Sequence, residues 1–336
     1  MLIRHAKTFV EEPAKVFAEF SAWDEMRCPM DVFLEITKGI LEQGFIYSIM
    51  AMGVYVSYQI LAFPDLSVDG TFPFGAAIAA MLLLNGTDPW LACLMAAIGG
   101  AGAGLVTGLL HVRLKITDLL SGILTMTALW SVNLAIAKTS LLSTFGTDTI
   151  FNSGIIKLLP ESLAPWYVLI VVFLLAMLMK LLLDWYLRTK SGMLLRAVGD
   201  NAQLVTSLAK NAGTVKILGL VIGNGYTAFA GAVLCQQQKF FDVNMGTGMM
   251  VMGLASVIIG MTLFRKMTLM KTTTMVVLGS IFYKACLSLA LNLGFNPNYL
   301  KLIMTVIFTV ALVANNLSKK KEGGVAGHGD ASAARY

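Results

Sequence analysis

The chain has 336 residues, 57% hydrophobic and 13% charged, with 25 Lys and Arg against 19 Asp and Glu and a mean hydropathy of +0.75. A soluble domain carries about 25% charged residues, so a water-soluble enzyme or nucleic-acid-binding module is excluded and an integral membrane protein is expected. The apolar runs do not alternate with polar residues as barrel strands do, so the spans are helical, the form that satisfies every backbone polar group inside lipid.

Residues 1–38 mix five Lys and Arg with seven Asp and Glu and place Val16, Phe17, Phe20 and Trp23 at helical spacing. No apolar core follows the first basic residues, so this reads as an amphipathic cytosolic segment lying at the interface, not a cleavable signal. Apolar segments then run over 39–63, 70–85, 90–111, 116–139, 166–187, 217–237, 246–263, 272–292 and 300–317. The expected architecture is all-α with 8–10 transmembrane helices, a transmembrane domain over 39–317 and a polar, disordered cytosolic tail over 318–336.

Two segments are short for a span of about 20 residues. The first, 70–85, follows "PDLSVDGTFPFG" (64–75); the second, 246–263, is glycine-rich. With 64–85 read as either a re-entrant or a fully crossing element, one interrupted helix in each half suggests a weak internal repeat around a central pathway. The acids Asp65 and Asp69 admit two readings: solvated or capping groups, with Asp69 capping the helix that starts near Thr71, or groups lining a translocation pathway together with Gly70 and Phe74. Asn224, among small residues in "IGNGYTAFAGA" (222–232), reads as packing or as substrate contact. Lys284 lies near mid-span, where an unpaired Lys costs about 2.5–3.5 kcal/mol; Glu42 and Asp118 are candidate partners. Lys180 and Asp184 read as a pair near the interface. The glycine run at 97–108 is packing, and Cys28, Cys93, Cys235 and Cys286 lack the spacing of a metal site.

With the amino terminus inside, the stretches 1–38, 111–115, 188–216, 264–271 and the tail hold 19 of the 25 Lys and Arg. That asymmetry places both termini and the 188–216 loop in the cytosol. The loop has the pattern of two short helices. Ser191 can cap the first and Gly199 end it; Asp200 or Asn201 can cap the second and Gly213 end it. Leu204, Val205 and Leu208 form an apolar stripe. Such a pair is either a connector lying on the membrane or a docking element for a cytosolic partner.

"DLSVDG" (65–70) and "GMLLRAVGDNAQLVTSLAKNAGTVKILGLVIGNGYTAFAGAV" (192–233) resemble stretches of permease subunits of ABC importers, in the class serving ribose-type sugars and branched-chain amino acids. The form of the first is similar to that of the tryptophan or aromatic amino acid branch. The resemblance implies a type II importer fold in the cytoplasmic membrane and a transport subunit that is not itself an enzyme. It implies a coupling loop carrying Gly192, Arg196, Ala197, Gly199, Asn201, Leu204 and Leu208. It also implies a second permease copy as homodimer partner, an extracytoplasmic substrate-binding lipoprotein, and a separate ATP-binding cassette ATPase. ATP then binds the partner and this chain needs no cofactor, in keeping with a sequence that contains no GxxxxGK[ST]. The expected cargo is a small organic solute: an amino acid, aromatic or otherwise, or a sugar or nucleoside. An ion-coupled secondary transporter is the alternative; it accounts for the broken helices and Lys284 but not for the loop.

Overall fold

The computed structural model describes residues 29–152, 166–201, 205, 211–264, 267, 270–292 and 299, and, between 302 and 313, residues 302, 303, 305, 306, 309, 310 and 313. Two compact units divide the chain, 1–41 and 42–336; the described part of the first is helical. The amphipathic residues Val16 to Trp23 and the tail lie outside the described residues.

Helix α1 spans Pro29–Val54 and passes into a π-helical turn, Tyr55–Ile60. After a non-helical stretch, α2 covers Val68–Leu84, α3 Pro89–Val112 and α4 Asp118–Ala137. Strand β1 is Leu141–Ser143. Helices α5 (Tyr167–Arg188), α6 (Lys190–Asp200) and α7 (Ala212–Gln238) follow, then β2 (Phe240–Asp242) and a 3-10 turn, Val243–Gly246. The last complete helices are α8 (Met249–Leu263) and α9 (Thr272–Asn292). Seven helices are long and apolar enough to cross a membrane, and α2 is a shorter apolar helix beside them.

Local chemistry sets several boundaries. The Asp88 carboxylate accepts from Trp90 N at 2.8 Å, and Pro89 opens α3 where its missing N–H costs nothing. Asn211 does the same for α7, accepting from Gly213 N at 2.9 Å. Gly213 therefore lies in the first turn of α7 and ends no helix. Strands β1 and β2 pair antiparallel, Leu142 opposite Phe241, and join the loops that follow α4 and α7; they are the one addition to an all-helical expectation among the described residues.

α7 is the central post. α3 lies antiparallel to it along one glycine edge: a Cβ on Gly100, Gly104 or Gly108 would press on Asn224, Leu220 and Ile217 in turn. Spacing of four residues puts these glycines on one face, where small residues let helix backbones approach closely. α1 is also antiparallel to α7. Gly53 packs on Gly223, Leu61 lies beside Gly219, and Gln237 Nε2 donates to Glu42 Oε2 at 3.3 Å.

Residue 42 consequently sits at the Gln237 end of the bundle, and Ile60 sits at the opposite end, where its carbonyl packs against Gly199 of α6. The charge count expected 39–63 to enter from the side that holds 188–216, and the geometry of residues 42–60 reverses it. The physical reason lies in the charges counted: of the five basic residues of 1–38 only Arg27 and Lys38 lie within about 20 residues of the span at 39, the range over which the rule operates.

The stretch 61–84 traverses the bundle. Phe63 packs edge-on against His111 near the α6 end, and Ala76 and Ala80 cluster with Cys235 and Phe241 near the other. Of the two readings for 64–85, the crossing one describes the structure. It crosses as an irregular lower part, 61–67, and a helical upper part of 17 residues, ~25 Å long at 1.5 Å per residue.

Candidate functional site

The two interrupted segments meet. Asp69, in the first turn of α2, accepts from Gly248 N at 3.0 Å and from Met250 N at 2.7 Å. It thus caps α8 and not, as the sequence suggested, a helix starting near Thr71: α2 begins at Val68, with Asp69 already inside its first turn. Gly248 sits at φ +87 and has no side chain with which to cap α8 itself, so the acceptor comes from a helix nearly 180 residues earlier. Two helix N-termini, each the positive end of a backbone dipole, converge on one carboxylate. That arrangement holds a negative group within the bundle without a cation. Pro73 cannot donate to the Asp69 carbonyl, and Gly246 packs directly against that carbonyl and the Pro73 ring.

Asp65 lies in a separate knot. It is 1% exposed, and Asn224 is fully buried. Asn224 Nδ2 donates to Asp65 Oδ2 at 2.7 Å, while Ser67 N and the Ser67 hydroxyl donate to Asp65 Oδ1 at 2.9 and 2.5 Å. Thr71 Oγ1 lies 2.7 Å from Asn224 Oδ1 and donates to it. The knot fastens the non-helical 61–67 stretch to the middle of α7 and satisfies its polar groups internally, as irregular backbone at membrane depth requires.

Beside Asp69 opens a cavity of about 580 Å³ between α2, α4 and the 243–247 turn, lined by Asp69, Gly70, Pro73, Trp130, Asn133 and Asn244 among others. Of the six residues expected on the pathway, Asp69 and Gly70 line it. Asp65 and Asn224 lie behind it in the knot. Phe74 faces α3, near Gly99. Lys284 is elsewhere: its Nζ donates to Gln43 Oε1 at 3.2 Å and stands 3.9 Å from the centre of the Tyr47 ring. Asp118, one partner suggested for Lys284, is instead 3.7 Å from His111 at the α6 end. Sequence reasoning passed over Trp130 and Asn133; the available signal was a lone amide in an otherwise apolar span.

α6 begins one residue after α5 ends. Thr189, not Ser191, is the cap: its hydroxyl accepts from Gly192 N at 3.3 Å. Gly199 does not end the helix, which continues to Asp200. Its role is contact, since any Cβ there would overlap the Ile60 carbonyl; Gly192 stands likewise against Tyr186. Gly192, Leu195 and Val198 are buried against the bundle, while Met193, Arg196, Asp200 and Asn201 are exposed and Ala197 lies between the two faces. Val205 is buried; Leu204 and Leu208 lie outside the described residues.

Asp184, near the end of α5, does more than pair with Lys180 at 3.7 Å. It accepts from Lys271 Nζ at 2.9 Å and from Thr273 Oγ1 at 2.6 Å, tying the helix that leads into α6 to the start of α9.

Comparison with known proteins agrees with this arrangement. Residues 36–312 match the family model described as branched-chain amino acid transport system / permease component. The chain is 45% identical over 279 residues to a tyrosine transport system permease protein of Clostridioides difficile, covering 83% of this chain and 91% of that one. It is 34% identical to an uncharacterized protein of Rickettsia prowazekii, over 81% and 95% of the two chains. It is 28% identical to the autoinducer 2 import system permease protein LsrC of Salmonella typhimurium, over 58% and 54%. No solved structure matches. The chain belongs to the branched-chain amino acid transport permease family and is the non-catalytic membrane subunit of an ABC importer for small solutes.

Proposed function

We propose that this subunit moves an aromatic amino acid inward across the cytoplasmic membrane, as one of two identical copies driven by a separate ATPase and supplied by an extracytoplasmic binding lipoprotein. The observation that carries the substrate class is the 45% identity, over nearly the whole length, to a permease named for tyrosine transport. The aromatic and polar lining of the Asp69 cavity supports it. The exposed face of α6, with Met193, Arg196 and Asp200, is the surface offered to the ATPase, and Gly192 and Gly199 seat it on the bundle. The pathway runs past Asp69 and Gly70, with Asp65 and Asn224 holding the backbone that forms it.

In this reading the α6 end faces the cytosol. Leaving out the five basic residues of 1–38, the stretches grouped with 188–216 keep 19 − 5 = 14 Lys and Arg, against four in the outer loops, so the charge rule still supports that orientation. Proteoliposomes holding the permease with its ATPase and binding protein test the function: ATP-dependent uptake of labelled tyrosine is expected, and uptake of branched-chain amino acids or ribose in its place overturns the substrate class. Asn85→Cys, in the loop between α2 and α3, should label from outside and Ala62→Cys, exposed before α2, only from inside. Labelling of both from one side would return 61–84 to a re-entrant element.

A further inference from the structure

The cavity beside Asp69 is short of donors and rich in acceptors. Its lining includes one acid and no Lys, Arg or His. Asn133 is fully buried, and its Nδ2 donates to the Gly70 carbonyl at 3.2 Å, while its Oδ1 has no partner. A buried, unpaired carbonyl oxygen is costly unless a donor reaches it. Asp69 gives each carboxylate oxygen one backbone N–H, which leaves roughly half of its lone-pair positions unused.

The two threonine hydroxyls that could have served a ligand carboxylate are committed within the protein, and the Ser131 hydroxyl lies out on the exposed rim. Thr127 Oγ1 donates to the Ile123 carbonyl at 2.8 Å, and Thr247 Oγ1 to the Asn244 carbonyl at 2.9 Å. Pro73, Met126 and Val243 give the wall an apolar surface, and Trp130, whose ring is half exposed, an aromatic one. A volume of about 580 Å³ is within the usual range for a small-molecule site.

We propose that this cavity is a ligand chamber which recognises the ammonium group and the aromatic body of the passing solute and leaves its carboxylate unread. The ammonium, with three donors, meets Asn133 Oδ1 and Asp69. The ring lies against Trp130 and Met126, contacts that aromatic and thioether groups favour. The inference rests on the aromatic amino acid reading and sharpens it. Recognition in the membrane subunit extends to aromatic amines that lack a carboxylate and excludes aromatic acids whose nitrogen is acylated.

The test uses the full-length chain with Ser131→Cys, a position on the exposed rim of the cavity, in lipid nanodiscs. The rate of modification by a charged thiol reagent is measured with L-tyrosine, tyramine or N-acetyl-L-tyrosine at equal concentration. Tyrosine and tyramine should slow the reaction several-fold and N-acetyl-tyrosine should leave it unchanged. Asn133→Leu added to the same chain should abolish the protection. Should that variant fold poorly, Trp130→Ala, at a half-exposed site, should weaken protection by both ligands. Equal protection by N-acetyl-tyrosine, or none by any ligand, overturns the proposal. Parallel uptake by the unmodified complex separates the two readings. Tyrosine uptake without protection sinks the chamber alone, and protection without uptake sinks the substrate reading while the chamber stands.

Discussion

Asp65 and Asp69 stand four residues apart on the same stretch of chain, and both are carboxylates drawn into the bundle. Their partners differ in kind. Asp65 is held mainly by side chains, with Asn224 and Ser67 closing a knot that has no opening. Asp69 is held by two backbone N–H groups at the start of α8 and faces a cavity. The first arrangement fixes a piece of irregular backbone. The second keeps acceptor capacity in reserve at the point where two helices begin. The same residue type is therefore scaffold in one position and a candidate for work in the other, and what separates them is the supply of unused lone pairs.

The largest effect is expected from Asp65→Ala. It orphans Ser67 N and one N–H of Asn224, and leaves the Ser67 hydroxyl only Asn224 Oδ1, at about 1–3 kcal/mol for each group left unsatisfied. Loss of folded protein, measured by thermal unfolding in detergent or by yield after membrane extraction, is the expected result. Asp65→Asn keeps the shape and an acceptor oxygen and should retain part of the stability. A well-folded Asp65→Ala protein would remove the distinction between the two acids.

Asp69→Ala comes next. Loss of a cap costs about 0.5–2 kcal/mol, so the protein should fold. Uptake normalised to folded complex should fall more than stability explains, because the cavity loses its only acid. Unchanged normalised uptake would make Asp69 a cap and nothing more.

The span pattern and the short helix α6 were legible in the sequence because both are local. Hydropathy reports burial in lipid, and turns, caps and glycines report helix ends to within a residue or two, as at Thr189 against Ser191. The partners of the buried polar groups were not legible. Asp69 caps a helix nearly 180 residues away, Lys284 finds Gln43 and Tyr47 on α1, and Asp184 reaches α9. Spacing along the chain carries no signal for such pairs. The direction of α1 was misread for a related reason. Few basic residues lie close to its start, whereas the true constraint is the fit of Gly53 on Gly223 and of Gly199 on Ile60.

The smallest effect on stability is expected at the link between the end of α5 and α9. Lys271 is half exposed, so its ion pair with Asp184 contributes less than about 1 kcal/mol. Lys271→Ala should leave the unfolding temperature nearly unchanged. Thr273→Val differs: its hydroxyl donates to the buried Asp184 oxygen at 2.6 Å, and its loss leaves a buried carboxylate short of one hydrogen bond. Because Asp184 lies just before α6, the substitution should loosen the join between α5 and α9 and lower the ratio of solute moved to ATP hydrolysed, with the cavity itself intact. The measurement is that ratio in proteoliposomes, set beside the Asp69→Ala value. A fall in uptake with normal ATP hydrolysis for Asp69→Ala, and a fall in the coupling of the two for Thr273→Val, would separate the chamber from the docking machinery. The same loss pattern in both variants would mean that the two regions act as one mechanical unit.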